Sequence, residues 1–298
     1  MRYDLLSLEV FMAVAELGSV TNAAKRSHLA TSAVSKRVSE LEERVGSPLF
    51  IRNARGMELT PAGQSLRHYG YQLTDTLKRM DEELSEYGSG TKGHIRLHAI
   101  TSALAQHLTL DIGDFLNRYP QIRFDIEERT GADVVRAVSN GKADLGIIAE
   151  QTPMLGLEVA PYRSDDLVLA VASEHPLASR SSVRFSEALN YEFIGPHVDS
   201  SMHILLFEQA KKIGGVVRQR IRASSFECMC RMASINLGLC LIPRDVLRTY
   251  IKQFRLNAIT LDEAWAVRRL VIVSRSFDAI APTARAFVSH LSPHPFAR

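Results

Sequence analysis

The sequence predicts an N-terminal all-α helix-turn-helix that carries a wing, then a long linker helix, then a two-lobed α/β domain. Three observations carry this prediction. Short amphipathic segments open the chain, a heptad-spaced helix follows, and beyond a Gly/Ser-rich stretch strands and helices alternate in two similar cycles. The expected boundaries are 1–60 for the first domain, 61–87 for the linker helix, 88–93 for a hinge and 94–298 for the two-lobed domain.

Leu5, Leu8, Val10, Phe11, Val14, Ala15 and Leu17 form a broad apolar stripe with helical spacing, and Gly18 stops it. Ser19 then caps a second helix, in which Ala23 and Ala24 are small enough for another helix to pack closely. After a break at His28-Leu29-Ala30, Val34, Val38, Leu41 and Val45 make one narrow buried stripe, and Gly46 ends that helix. At about 100° per residue, Ser32, Ser35, Lys36 and Ser39 fall opposite or beside the stripe. A small, polar, cationic face of this kind can enter a major groove and neutralise phosphates.

Two short strand-like runs, 48–52 and 57–60, flank Asn53-Ala54-Arg55-Gly56, a hairpin signal with arginines 52 and 55 near its tip. Thr60-Pro61 then opens a helix in the preferred order of cap and proline. Along it Leu66, Tyr69, Leu73, Leu77, Met80, Leu84 and Tyr87 recur at spacings of 3, 4, 4, 3, 4 and 3. Their mean is the coiled-coil value of about 3.5, so a partner helix is expected to cover the seam. Gly88-Ser89-Gly90-Thr91-Lys92-Gly93 is the plainest hinge in the chain.

Beyond the hinge, His94 to Ile100 alternates as a strand, Ala103 to Asn117 is an amphipathic helix, and Arg123 to Glu127 is a second strand. A helix over Ala132 to Asn140 and a buried strand over Asp144 to Ala149 complete the first cycle. The second starts near Asp166 with Leu167 to Val171. It continues with a strand at Phe193-Ile194-Gly195, a helix from about Ser201, a strand over Gln219 to Ala223, a helix from about Phe226 and a strand over Leu239 to Ile242. Alternation of this kind implies a parallel sheet with helices on its faces, and two similar halves imply a cleft between lobes.

Net charge is only +3, so composition alone does not point to nucleic acid; the local pattern does. No apolar run reaches the roughly 20 residues that span a bilayer, and the first residues lead into no signal core. A cytoplasmic protein with no membrane association is therefore expected. No phosphate-binding glycine loop, paired-histidine metal motif or nucleophile elbow is present, so the expectation is no enzyme, no catalytic residue, no metal and no cofactor. Asp165 and Asp166 invite an acid/base reading, but they would face opposite sides of a strand.

Gly18-Ser19-Val20-Thr21-Asn22-Ala23-Ala24, then Ala33-Val34-Ser35-Lys36 and Leu41-Glu42, resemble the signature of the LysR-type transcriptional regulators. So do Gly46-Ser47-Pro48-Leu49-Phe50-Ile51-Arg52 and Leu59-Thr60-Pro61-Ala62-Gly63. Fainter similarity follows in Gly141-Lys142-Ala143-Asp144-Leu145-Gly146-Ile147, Glu174-His175-Pro176-Leu177-Ala178 and Gly238-Leu239-Cys240-Leu241-Ile242-Pro243. Thr31-Ser32 depart from the Gln-Pro often found at the start of that family's recognition helix, and Ser27 and Ala30 depart from its apolar residue and its serine cap.

The resemblance implies a sequence-specific regulator of transcription, a homodimer or homotetramer on double-stranded DNA at an interrupted inverted repeat near a promoter. Thr31, Ser32, Ser35, Lys36, Arg52 and Arg55 would make its DNA contacts. It also implies a periplasmic-binding-protein-like domain whose effector pocket is built by Thr101, Ser102, Thr130, Ser200, Ser201 and Phe226. Thr101-Ser102 and Ser200-Ser201 each precede a predicted helix, where free N–H groups and the helix dipole favour an anion, so a small carboxylate is the expected effector. The alternative within the family is a redox sensor switched by Cys228, Cys230 or Cys240; Cys228 and Cys230 project about 200° apart on a helix, which leaves Cys240 as the partner for either.

Overall fold

Asp4 starts the first helix, α1 (Leu5–Leu17), by accepting the Ser7 N–H at 2.8 Å, which satisfies one of the orphan donors of a helix start. The computed structural model describes residues 4–53, 56–89 and 93–292, and at 75, 78, 79, 82, 83 and 85–89 the backbone alone. Gly18 ends α1 in the left-handed region, φ 60°, and its carbonyl oxygen takes the Met57 N–H at 2.8 Å. Ser19 caps α2 (Val20–Arg26) through the Asn22 N–H. Ala30 offers α3 (Thr31–Val45) no side-chain cap, and Gly46 closes that helix with φ 72°.

Strands β1 (Phe50–Asn53) and β2 (Gly56–Leu59) pair antiparallel as the wing. Val34, Val38 and Leu41 bury one side of α3 against α1, while Phe11 meets Phe50 with ring centroids 5.2 Å apart and so joins the wing to the helices. Helix α4 (Pro61–Ser89) follows at once. Thr60 Oγ1 accepts from the Gly63 N–H at 3.0 Å and donates to the Pro48 carbonyl at 2.7 Å. A side-chain carbon at Gly63 would lie 2.1 Å from the Leu49 carbonyl oxygen, so only glycine lets α4 leave the wing this closely. Leu66 packs on the N-terminal core; Tyr69, Met80 and Leu84 along the seam are 66%, 48% and 59% exposed. Tyr87 lies outside the described side chains, as do residues 90–92 of the expected hinge.

The chain divides into compact units at Met1–Ser85 and Glu86–Arg298. The second contains β3 (Gly93–Ala99), α5 (Thr101–Ala103), a π-helical turn (Leu104–Leu108), α6 (Thr109–Arg118), β4 (Ile122–Glu128), α7 (Gly131–Ser139) and β5 (Leu145–Ala149). A long strand β6 (Glu158–Ala172) comes next, then β7 (Ser182–Val183), α8 (Phe185–Ala188), β8 (Glu192–Gly195) and α9 (Ser201–Lys212). The chain continues through β9 (Arg218–Arg222), α10 (Phe226–Ser234), β10 (Cys240–Pro243), α11 (Arg244–Phe254), β11 (Leu256–Leu261), β12 (Val267–Ser274) and α12 (Pro282–Leu291).

Two separate apolar cores make two lobes. One holds Leu97, Phe115, Val134, Ile147 and Phe287; the other holds Leu169, Phe193, Leu206, Met229 and Ile242. The sheet runs β4-β3-β5-β12-β6-β11-β7, with β10 also paired to β6. Parallel pairing was expected throughout, and β3 does pair parallel with β4 and β5, and β8 with β9. The expectation fails at the crossing: β12 is antiparallel to β5 and β6, and β6 is antiparallel to β10 and β11. The reason is that β6 begins at Glu158 rather than near Asp166, gives its first half to one lobe and its second to the other, and β12 returns beside it.

Asp165 of β6 stands opposite Arg268 of β12 where the two cores meet. Both are buried. Arg268 Nε donates to Asp165 Oδ1 at 2.9 Å and Nη2 donates to Oδ2, a two-pronged pairing, while Gln106 Nε2 in the π-helical turn donates to the same Oδ2 at 3.0 Å. Removing one member leaves the other charge desolvated and unpaired. Arg268→Met is therefore expected to cost about 3–5 kcal/mol of stability, and the paired replacement Arg268→Met/Asp165→Leu much less. Urea unfolding followed by the fluorescence of Trp265, the single tryptophan, reads this directly; equal losses in the single and paired variants would contradict it.

Candidate functional site

On α3 the buried stripe fixes what is left outside. Thr31, Ser32 and Lys36 are exposed and Ser35 half-buried, all in the first half of the helix. Lys36 Nζ sits 4.0 Å from Glu40 Oε1, a loose surface pair that leaves the ammonium available to an anion. Arg37, by contrast, turns inward to Asp4 and Ser7. Arg52 is exposed on the wing, and Arg55 lies outside the described residues. Glu42 was not among the expected site residues, although it has a structural part in this surface: its Oε1 accepts the N–H groups of Leu49 and Phe50 at 2.8 and 3.2 Å, holding the start of the wing to α3.

In the second unit, Thr101, Ser102, Thr130, Ser200, Ser201 and Phe226 line one cavity of about 290 Å³ between the lobes. Ile100 to Ser102 and Glu128 to Gly131 come from the first lobe, and His197, Ser200 to Met202, Ser224 and Phe226 from the second. Helices α7, α9 and α10 all begin at its wall, so backbone N–H groups and the positive ends of three helix dipoles face it. Phe226 and Met229 give it an apolar side.

The hydroxyl groups divide by partner. Thr130 caps α7 through the Asp133 N–H and also donates to Asp133 Oδ2 at 2.7 Å. That bond, with Arg136 beside it, holds the Asp133 carboxyl below its ordinary value. Ser200 caps α9 through the His203 N–H at 3.1 Å, and Ser225 caps α10. Thr101 and Ser102 do not cap, because Ile100 is the cap residue of α5; Thr101 donates to Glu128 Oε1 at 2.8 Å instead. Ser102 Oγ accepts from Arg268 Nη2 at 2.8 Å, and Ser201 Oγ from Nη1 at 3.4 Å.

Sequence reasoning found no arginine at this pocket. Arg268 was missed because its partner Asp165 is remote in sequence and the strand that carries it was not anticipated. Its signal was a charge set inside the run Val267-Arg268-Arg269-Leu270-Val271-Ile272-Val273. Glu128, Arg129 and Asp133, which line the cavity in front of Arg268, were likewise not foreseen.

All three cysteines are free, with Cys230 and Cys240 buried and Cys228 half-buried. A hydrogen bond with Cys230, and then burial, push the Cys240 thiol well above its ordinary value. Such a thiol stays protonated, the opposite of what a reactive sensor cysteine needs.

A family model described as the LysR substrate binding domain matches residues 88–295, and one described as the bacterial regulatory helix-turn-helix protein of the lysR family matches residues 5–64. The chain is 26% identical over 294 residues to an uncharacterized HTH-type transcriptional regulator of Escherichia coli strain K12, YbhD, covering 98% of this chain and 92% of that protein. It is 24% identical over 288 residues to the HTH-type transcriptional regulator GltR of Bacillus subtilis strain 168, covering 96% and 95%. Among solved structures, full-length CbnR complexed with its target DNA superimposes with a TM-score of 0.71 at 18% identity, over 97% of this chain and 99% of that one. No helix among the described residues is long and apolar enough to cross a membrane.

Proposed function

Because this chain belongs to the LysR family of DNA-binding transcriptional regulators, we propose that it reads its operator through α3 and the wing and is controlled by a small carboxylate held between the two lobes. The observation that carries the effector reading is the cavity itself: hydroxyls and helix N-termini from both lobes converge on one cleft. Each helix end contributes roughly 0.3–1 kcal/mol toward a nearby anion, and up to about 2 where partly buried. Glu128 and Asp133 on the same wall accept hydrogen bonds, which suits an acid that also carries hydroxyl groups. A volume of about 290 Å³ admits a molecule of roughly one ring and its substituents. Thermal-shift screening of the full chain against small carboxylates identifies candidates, and calorimetry then compares each acid with its neutral amide. The acid is expected to bind at least tenfold more tightly; an amide of equal affinity defeats the anion reading.

On the DNA side, Thr31, Ser32, Ser35 and Lys36 meet base edges and nearby phosphates in the major groove, and Arg52 and Arg55 of the wing meet the backbone. Thr31-Ser32 lack the two-pronged adenine contact that a glutamine makes, so base reading falls more heavily on Lys36. Lys36→Ala should cost about 1–3 kcal/mol on the selected operator and less on unrelated DNA, whereas Arg55→Ala should weaken both alike and flatten the salt dependence. Footprinting and anisotropy across a salt series distinguish the two patterns, and unchanged binding in both variants removes the assignment.

Two copies of the chain pair through α4. The exposed seam of Tyr69, Leu73, Met80 and Leu84 is heptad-spaced and has no cover within the chain among the described residues. Leu73→Asp/Leu77→Asp would bury charge against a partner seam, and sedimentation should then show monomer; a dimer as tight as the parent's contradicts this pairing.

A further inference from the structure

Two of the cavity's hydroxyls face a guanidinium. Thr101 and Thr130 spend their hydrogens on carboxylates, and Ser200 uses its oxygen on a backbone N–H. Ser102 and Ser201 instead accept from opposite prongs of one guanidinium, that of Arg268, at 2.8 and 3.4 Å. An arginine only donates and does not lose its proton. A hydroxyl whose oxygen faces it must therefore turn its own hydrogen elsewhere. Among the described residues neither serine has an acceptor for that hydrogen, and both line the cavity. Arg268 itself stays behind the wall, 3% exposed, gripped by Asp165, which Gln106 bonds in turn.

We propose that Arg268 sets the chemical specificity of the cavity by fixing Ser102 and Ser201, one from each lobe, as hydrogen-bond donors toward the ligand. A carboxylate offers acceptors to both. An amide or amine that presents N–H at the same place can reach only the second lone pair of each serine oxygen and leaves both hydroxyl hydrogens without an acceptor, which is how a buried site rejects an analogue. Arg268 is thus a positioning residue: it acts through the serines, and Asp165 keeps its charge from swinging into the cavity. This inference rests on the carboxylate reading above and adds the groups that enforce it.

The test uses the full-length protein with benzoate and benzamide as probes, titrated by ligand-observed NMR. The variants are Arg268→Met/Asp165→Leu, which removes the buried pair together, and Ser102→Ala/Ser201→Ala, which leaves that pair in place. The unaltered protein should prefer benzoate at least tenfold. Both variants should bring the preference to within about threefold, because without the guanidinium the serines can turn to accept, and without the hydroxyls nothing is enforced. A general loss of folding would weaken both probes together and leave their ratio alone, so the ratio is the reading that counts. Preference retained in full by either variant overturns the role of Arg268. Absence of preference in the unaltered protein, whether both probes bind alike or neither binds, overturns the carboxylate reading and this inference with it.

Discussion

A guanidinium and a carboxylate, both removed from water, sit where two hydrophobic cores meet, and the arrangement of the sensor domain follows from what that pair requires. Burying two charges is tolerated only when their remaining donors and acceptors are satisfied. Asp165 takes two prongs of Arg268 and the Gln106 amide; the rest of the guanidinium goes to Ser102 and Ser201. Those serines stand at the starts of helices in different lobes, so meeting the needs of one buried side chain draws two helix ends to one point. The Gln106 side chain is placed by a π-helical turn, a local departure from α geometry of the kind often found at functional sites.

Strand register makes the pair possible. In a strand alternate residues face opposite ways, so Arg268 and Asp165 point inward while Arg269 and Asp166 carry side chains 74% and 59% exposed. Arg269 and Asp166 instead meet surface partners, Glu150 at 3.8 Å and Arg244 at 3.9 Å. Sliding β12 by one residue along β6 would turn Arg269 inward and Arg268 outward, while Asp165 stays buried on β6. The doubled charges, Asp165-Asp166 and Arg268-Arg269, are thus a buried pair and a solvated pair printed side by side.

Much of the N-terminal unit was legible because its determinants are local. The Val34/Val38/Leu41 stripe, the caps at Ser19 and Thr60 and the glycine stops at 18 and 46 act within a few residues of themselves, and each does in the structure what its spacing implied. The hydroxyls expected at the pocket do come together around one cavity, since in each lobe they stand where strands give way to helices. What was not legible depends on pairing at a distance. The length of β6, the antiparallel return of β12 and the bond from Arg268 to Asp165 are properties of two segments jointly, and periodicity within either says nothing of the other. The place of Thr101-Ser102, expected just before a helix, differs for a smaller reason of the same sort. β3 runs straight into the helix through Ile100, so these hydroxyls are already inside it and are free for Glu128 and Arg268.

The two crossing strands also limit how a ligand can act. Since β6 and β12 each contribute to both lobes and are hydrogen-bonded to one another, the lobes cannot separate without breaking ladder bonds and exposing Asp165 and Arg268. Relative rotation about the strand pair would twist the ladder without breaking it, and would bear on contacts between the lobes, among them the His107 Nε2 to Asp245 Oδ2 contact at 3.3 Å. A ligand shifts such an equilibrium only by bonding more strongly to one arrangement than to the other. One that accepts from Ser102 and Ser201 together satisfies this condition: its best bonds exist at the single lobe angle that brings both hydroxyls to the same anionic group. On the proposed role of Arg268, chemical selectivity and mechanical output would have a common origin, the fixing of two donors on different lobes by one buried arginine.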